Sequence, residues 1–420
     1  MGSAICLRAP VLRGARPALT QSLAEAEAAV AAGTSPLAKL PGVHFARWLI
    51  VPADDTLPGE PVRETLVYTA DVDGSTGRHL RDLDERAGSL LDSLFRHCED
   101  YSTNGGEVRR RWLHDHRVRS AAAYVNTVGM SVQRIGEEAR LTAWLQRHLD
   151  EHRHDLLPLA PAEIHRRLRT AVRAEPATAY GVRPARGESL PARVRRIGTL
   201  AIAVVVVLVL LPVLVVVGLP WLLALRRRER RDPSDTVRPD RHRVERLRLR
   251  EDAAAMNPFG ALGVVKAGAL RARTVQIVLL GISIAASCVF VRGSLAGVTT
   301  IHAARWVPLD GGRRMIFTSC YDGSLESYMN DFIDKLAWGL NVIFSNGVGY
   351  PRTRWLIFGG ARDEQTFKDY LRCHQLETLV SYAAHPRLTN ANVRRNAAIR
   401  RGLSRPVLGD RQASAWLALL

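Results

Sequence analysis

Two hexapeptides carry the side chains best able to do chemistry. Val43-His44-Phe45-Ala46-Arg47-Trp48 recurs 258 positions later as Ile301-His302-Ala303-Ala304-Arg305-Trp306. An imidazole can ligate haem iron or act as a general base, and a guanidinium holds carboxylates or phosphates in fixed geometry. Strand alternation places His302, Ala304 and Trp306 on one face and Ala303, Arg305 and Val307 on the other. The first copy divides in the same way, with His44, Ala46 and Trp48 opposite Phe45, Arg47 and Leu49. Histidine and arginine are therefore expected to point apart. Together with Asp322, Tyr350, Arg352 and Arg354, these residues outline a candidate ligand or haem pocket. A plainer expectation competes with it: His302 hydrogen-bonded in the core, Arg305 reaching a carboxylate, and Trp306 filling the layer between sheet and helix.

Other chemistry is sparse. His148 and His152 stand four apart among Asp150, Glu151 and Asp155, but no Glu follows the first His as a zincin motif requires, so a solvated helix end and no metal are expected. Gly347-Val348-Gly349 lacks a phosphate-loop context, and neither a Ser-His-Asp order nor a pair of catalytic carboxylates stands out. The five cysteines are odd in number, widely spaced and never in a Cys-x-x-Cys pair, which excludes a disulfide framework and suits a reducing compartment. Cys320 and Cys373 fall in strand- and helix-like patterns and are expected to be buried rather than reactive.

The elements that position these residues repeat as well. Each hexapeptide is followed by a second strand-like run and an Asp-Gly-Ser turn, Asp73-Gly74-Ser75 or Asp322-Gly323-Ser324. A helix with one apolar face follows, carrying Leu80, Leu83, Ala87, Leu90, Leu91 and Leu94 or Leu325, Tyr328, Met329, Phe332, Leu336 and Leu340, with Ser75 and Ser324 as N-caps. Ala123-Tyr124-Val125 and Ser381-Tyr382-Ala383 restore the 258 offset, and duplication is the simplest reading. The second copy reads as strands 299–307 and 313–319, helix 325–340, strands 342–346 and 354–359, helix 363–374, strand 378–384 and helix 389–401. Without its first strand this is β-α-β-β-α-β, the ferredoxin-like order. The fold class expected is therefore α+β, with two ferredoxin-like repeats pairing their sheets into a barrel-like body.

Between the repeats, 197–225 runs for 29 residues without a charge, flanked by Arg193, Arg195 and Arg196 and by Arg226, Arg227 and Arg228. As a helix it would exceed roughly 40 Å, against a hydrocarbon core of about 30 Å. Pro212 predicts a kink or break, and Trp221 suits the interfacial zone. A second apolar run, 274–291, reads equally as a span or as a buried or interfacial helix. Pairing the repeats requires both on one side of the membrane, so a re-entrant or shallow insertion with both cytoplasmic is favoured over two spans; the early arginines Arg8, Arg13 and Arg16 precede no apolar core, so no export signal is expected.

The composition fits this layout. At 47% apolar and 24% charged, the chain is no disordered segment. Its net charge of +18 comes from 59 Lys+Arg, all but four of them arginine, which looks partly like coding bias. The interpretable part is the eleven arginines of 226–250: Arg226, Arg227 and Arg228, then Arg241, Arg243, Arg246, Arg248 and Arg250, suit anionic lipid headgroups. Nucleic acid is not expected, because interleaved aromatics and known binding motifs are missing.

The motifs resemble a bacterial family of membrane-associated proteins sharing a stretch like Gly293-Ser294-Leu295-Ala296-Gly297 through Ile301-His302-Ala303-Ala304-Arg305-Trp306. The likeness continues in Tyr321-Asp322-Gly323-Ser324, Phe344-Ser345-Asn346, Gly349-Tyr350-Pro351-Arg352-Thr353 and Asn396-Ala397-Ala398-Ile399-Arg400. It covers most of 255–403 and is loose over 43–150; the family usually has an aromatic where Ala303 stands. More distantly, paired ferredoxin-like modules resemble the dimeric α+β barrel superfamily, which includes haem-binding dye-decolourising peroxidases and chlorite dismutases as well as monooxygenases and plain ligand binders. The layout expected is an N-terminal extension (1–41), a first repeat (42–155), a basic linker (156–196), the membrane segment (197–225), an arginine-rich loop (226–273), a second apolar segment (274–297), the second repeat (298–403) and a tail (404–420). The function expected is binding of a small or lipidic ligand at the bacterial inner membrane. A haem-dependent oxidoreductase and a non-catalytic membrane scaffold are the alternatives.

Overall fold

The computed structural model describes residues 2–57, 60–185, 187–233, 237–252, 254–291 and 293–420. Its first part runs β1 (Gly2–Pro10), α1 (Arg16–Ala31), β2 (Val43–Val51), β3 (Thr65–Asp73), α2 (Thr76–Phe95), α3 (Gly106–Asp115) and β4 (Ala122–Val125). Then come α4 (Val132–Glu151), α5 (Arg153–Leu156), α6 (Pro161–Ala174), the long α7 (Leu190–Glu229) and α8 (Arg241–Arg248). The second part runs β5 (Met256–Val264), α9 (Ala269–Cys288), β6 (Ile301–Leu309), β7 (Arg314–Asp322), α10 (Leu325–Phe344), β8 (Thr353–Arg354), β9 (Phe358–Gly359), α11 (Glu364–His374) and β10 (Thr378–Ala383), followed by α12 (Asn390–Leu403) and α13 (Asp410–Leu417).

The class is α+β, with antiparallel sheets. One sheet has the order β1-β3-β2-β10 and the other β4-β6-β7-β5. Each repeat therefore gives its last strand to the other's sheet: β10 lies against β2, with Val380 opposite Trp48, and β4 lies against β6, with Tyr124 opposite Ala304. The two sheets meet through Cys6, Leu49, Val51 and Val67 on one side and Val307, Leu309, Ile316 and Leu376 on the other. Their opposite faces carry the helices, α1 and α2 over the first sheet and α9, α10 and α11 over the second.

A closed barrel does not form. The exchanged strands are only four and six residues long. Just before each of them the chain makes a single bridge to the neighbouring sheet, Leu7 to Arg117 and Ala261 to Gln375. That is too little ladder to join the sheets into one cylinder.

Several sequence boundaries also move. The expected extension 1–41 holds β1 and α1, and the arginine-rich loop holds β5. Both strands are sheet edges, where Pro10 and Pro258 cost no ladder bond. The β-α-β-β-α-β order thus begins at β1 and β5. The expected strand 342–346 instead continues α10 to Phe344, and 354–359 shrinks to the two-residue strands β8 and β9. Within 156–196 lie α6 and the start of α7, and within 404–420 lies α13. The expected break or re-entrant turn at Pro212 is absent, since α7 is one helix through Pro212 and Pro220.

The helix readings hold. Ser75 caps α2 and Ser324 caps α10, each side chain accepting an N–H three residues on (3.3 and 3.2 Å). Every apolar position expected on the inner faces of α2 and α10 is buried. Both helices are also interrupted at the same depth by one non-helical residue, Ala87 or Leu336. Residues 129–190 and 388–420 form a separate unit, whose core joins Leu141, Leu145, Leu168 and Val172 to Ile399, Leu403 and Trp416.

Candidate functional site

The repeated histidines do not follow strand alternation. Pairing slips between Val43 and Phe45 and again between Ile301 and Ala303, so His44 and His302 each sit in a β-bulge. A bulge re-aims its side chain. His302 packs edge-on to Phe45 of the opposing sheet and is turned to the intersheet side that Arg305 occupies, against the expectation that the two point apart. Its Nε2 meets Asp322 at 2.6 Å, and His44 meets Asp73 at 3.1 Å, so each pair pins the bulged strand to its neighbour.

The arginines clamp the two sheets. Arg47 donates to the carbonyls of Phe259 (2.9 Å) and Ser319 (2.8 Å) and to Cys320 Sγ (2.6 Å). Arg305 returns the contact, donating to the carbonyl of Ile5 at 2.6 Å and pairing with Asp71. Both guanidinium groups are buried. Haem ligation by His302 would need an open Nε2 facing a space; that nitrogen is occupied by Asp322 and Phe45 covers the ring, so these residues do not fit the group.

The space lies on the helix side of the second sheet. A cavity of about 350 Å³ opens between β5, β6 and β7, α9 and α10. Phe259, Ala304, Trp306 and Phe317 form its floor, Val278, Ile282 and Ala285 of α9 one wall, and Met329 and Phe332 of α10 another. This volume is at the small end for ligand pockets. Of the nine candidate residues, Trp306 alone lines it, and its indole N–H is buried without a partner. Tyr370, His374 and Gly347 also line it, and the backbone runs close to both rings: a Cβ on Gly347 would meet the Tyr370 hydroxyl at 2.9 Å, and one on the nearby Gly349 the His374 ring at 3.5 Å. Burial holds the His374 imidazole below its usual range although its Nδ1 lies 2.8 Å from the Tyr370 carbonyl. A Tyr and a His side by side thus put polar groups in the wall of a largely apolar chamber.

Tyr350, Arg352 and Arg354 belong elsewhere. The buried Tyr350 hydroxyl donates to Asn341 Oδ1 at 2.8 Å, while Asn341 Nδ2 donates to the carbonyls of Ile357 (2.7 Å) and Gly359 (2.8 Å). Arg352 reaches the Arg230 carbonyl at 3.0 Å, and Arg354 lies over the Phe358 ring at 5.5 Å. The tip they flank presents Trp355, Ile357 and Phe358 to solvent. Trp355 and Leu356 both have left-handed backbone angles, φ 60° and 58°. Glu229, at the end of α7, accepts both their N–H groups at 2.8 Å and the Thr353 hydroxyl at 2.6 Å. Its carboxylate acts as an internal anion in a nest of amides, which offsets the strain. Next to it Asp232 takes Lys266 (2.8 Å) and the buried Arg271 (2.7 Å), and Trp221 donates to Thr274 at 3.0 Å, fastening α7 to α9. Sequence reasoning missed Glu229, Asn341 and the α9 wall, whose roles depend on partners far away in the chain.

Arg226 pairs with Glu229 (3.0 Å), Arg243 donates to the Gln375 carbonyl (2.6 Å) and Arg250 pairs with Glu377 (3.1 Å). Arg227, Arg228, Arg241, Arg246 and Arg248 stay exposed. Burial pushes the Cys6 and Cys98 thiols up to about 12 and raises that of Cys320, which makes them poor nucleophiles. Cys373 is half-buried with Sγ 3.4 Å from the Val237 carbonyl. His148, Glu151 and His152 bring ligand atoms within 4.8 Å of one another at the end of α4, with Glu151 and His152 exposed. No protein-family model, curated protein or solved structure matches the chain.

Proposed function

We propose that the chain is a membrane-attached protein that holds a single-chain amphiphile, such as a fatty acid or a long-chain alcohol, in the cavity of its second repeat. The observation that carries this reading is a largely apolar chamber with the adjoining Tyr370 and His374 in its wall, bounded by α9, a helix itself long and apolar enough to enter a bilayer. An apolar pocket with few polar groups suits an alkyl tail and a small headgroup. Membrane attachment rests on α7, whose most apolar stretch has no buried residue, and on the exposed arginines beside it, each worth about 1 kcal/mol near an anionic leaflet. We read the two repeats as ferredoxin-like modules with exchanged last strands, both on the cytoplasmic side of a bacterial inner membrane. The repeated His, Arg and Trp then serve the scaffold, which leaves the chain a binder rather than a haem oxidoreductase.

Mass spectrometry of the detergent-purified protein tests this. A stoichiometric amphiphile is expected with the wild type and should be lost from Ala285→Phe, which fills the chamber from the α9 wall. A protein that copurifies with no lipid and takes up no added fatty acid overturns the reading.

A further inference from the structure

The strand exchange constrains how the chain can meet a membrane. β4 precedes α7 and pairs with β6, which follows it; β2 precedes α7 and pairs with β10. The clamps repeat the linkage, Arg47 bonding Ser319 and Arg305 bonding Ile5. Paired strands lie about 5 Å apart, whereas the hydrocarbon core is roughly 30 Å thick. The chain must therefore cross an even number of times between 125 and 301.

β5 narrows this further. It lies between α7 and α9 and pairs with β7 along nine residues, from Met256 opposite Asp322 to Val264 opposite Arg314. The count must be even on each side of β5 taken separately. Among the described residues each interval contains one helix long and apolar enough to cross, α7 in the first and α9 in the second. A continuous helix crosses once or not at all, so two crossings are available to neither interval.

We propose that the chain enters its membrane from one face only and docks there on a single leaflet, with α7 immersed but not crossing. This rests on the membrane attachment proposed above. An independent observation agrees: Arg193, Arg195 and Arg196 before the apolar run match Arg226, Arg227 and Arg228 after it, so both ends carry the charge expected at one headgroup layer. α7 is about 60 Å long, too long for an upright span, and its two internal prolines remove ladder bonds where it must bow into the acyl region. The immersed surface continues from its end onto the outward face of α9, where Ile277 and Leu280 are each 62% exposed, and onto the tip carrying Trp355, Ile357 and Phe358. The occupant of this surface is lipid, because α7 is apolar all round rather than along one seam. The cavity wall α9 then borders the acyl layer, and an amphiphile can reach the chamber sideways.

Single cysteines on either side of α7 decide it. In a full-length Cys288→Ser, Cys373→Ser background, whose remaining thiols are buried, Gly187→Cys and Arg248→Cys place exposed thiols before and after the helix. Each is treated with a membrane-impermeant maleimide in inverted and in right-side-out sealed vesicles. Both sites should label from the same face, with at least tenfold less labelling from the other. Labelling from opposite faces overturns the one-sided entry while leaving attachment intact. Protein that washes off the vesicles in carbonate overturns attachment itself, and this proposal with it.

Discussion

The two repeats share a strand order, a helix break and a set of clamps, yet the helices over the first sheet pack into one buried cluster while those over the second enclose a chamber. Over the first sheet, Leu19, Leu23 and Ala26 of α1 pack with Trp48, Tyr68, Leu80 and Leu91 into one buried cluster. Over the second, α9 takes the place of α1 between the first two strands of its repeat and leaves about 350 Å³ above Trp306. α1 is short and binds its sheet through small and medium side chains; α9 is apolar on both faces and divides its contacts between the sheet and the exterior. Two sheets with the same strand order and clamps can thus differ in the space above them when the helix that covers one of them packs less closely.

Removing the matching tryptophans puts the largest strain on this comparison. Trp48→Ala should cost about 3–5 kcal/mol because it carves a void in a filled layer. Trp306→Ala, which only enlarges a space already present, should cost about 2 kcal/mol. Thermal unfolding in detergent reads both, and equal losses would mean that the second repeat is not hollow.

The clamps differ in the charge they leave behind. Arg305→Met strands the buried Asp71 carboxylate and should cost about 3–5 kcal/mol, whereas Arg47→Met strands only carbonyls and the Cys320 thiol and should cost about 1–3 kcal/mol. Chemical denaturation measures the gap; a reversed order would show that Arg47 has a charged partner elsewhere.

A pH series separates the repeats by another route. Burial pulls His79 in the first repeat down to about 4, and its ring meets the Tyr68 hydroxyl at 3.0 Å. The matching position in the second repeat is Tyr328, bonded to Ser319 at 2.7 Å. Because the folded state disfavours the proton, the stability tied to neutral His79 is full above the unfolded value of about 6.5 and is lost as pH falls toward 4, by about 3 kcal/mol. His79→Phe should flatten that slope, and an unchanged slope would place the acid sensitivity elsewhere.

The smallest effect is the sharpest in sign. Ala26→Phe on α1 should overpack the solid repeat and cost about 1–3 kcal/mol, whereas Ala285→Phe on α9 should be neutral or stabilise by up to about 1 kcal/mol. Melting temperatures of the delipidated variants check this, and two losses of similar size would erase the distinction.

What the sequence made legible was local or repeated. The apolar faces of α2 and α10, their serine caps and the 29-residue run follow from helical period, capping chemistry and length, each readable within a few turns. Of the candidate site, the sequence located the His-Arg-Trp motif and set Arg305 and Trp306 on opposite faces, but it turned His302 the wrong way, because a bulge is a property of strand pairing and leaves no mark on the alternation. The edge strands β1 and β5 escaped for a related reason: an edge needs a partner on one side only, and Pro10 and Pro258 resemble loop residues until that partner is known.

The sequence by itself determined that one hexapeptide pattern recurs 258 residues on, where the helices after each occurrence turn their apolar sides, and that a 29-residue run between them carries no charge. Only the tertiary structure decided that the copies trade their last strands, that Glu229 props a strained turn more than a hundred residues away, and that the space above Trp306 is left open. Short-range periodicity records which side of an element is apolar. Register, exchange and cavity volume arise from pairings between distant segments, whose free energy is fixed only when both surfaces are in place.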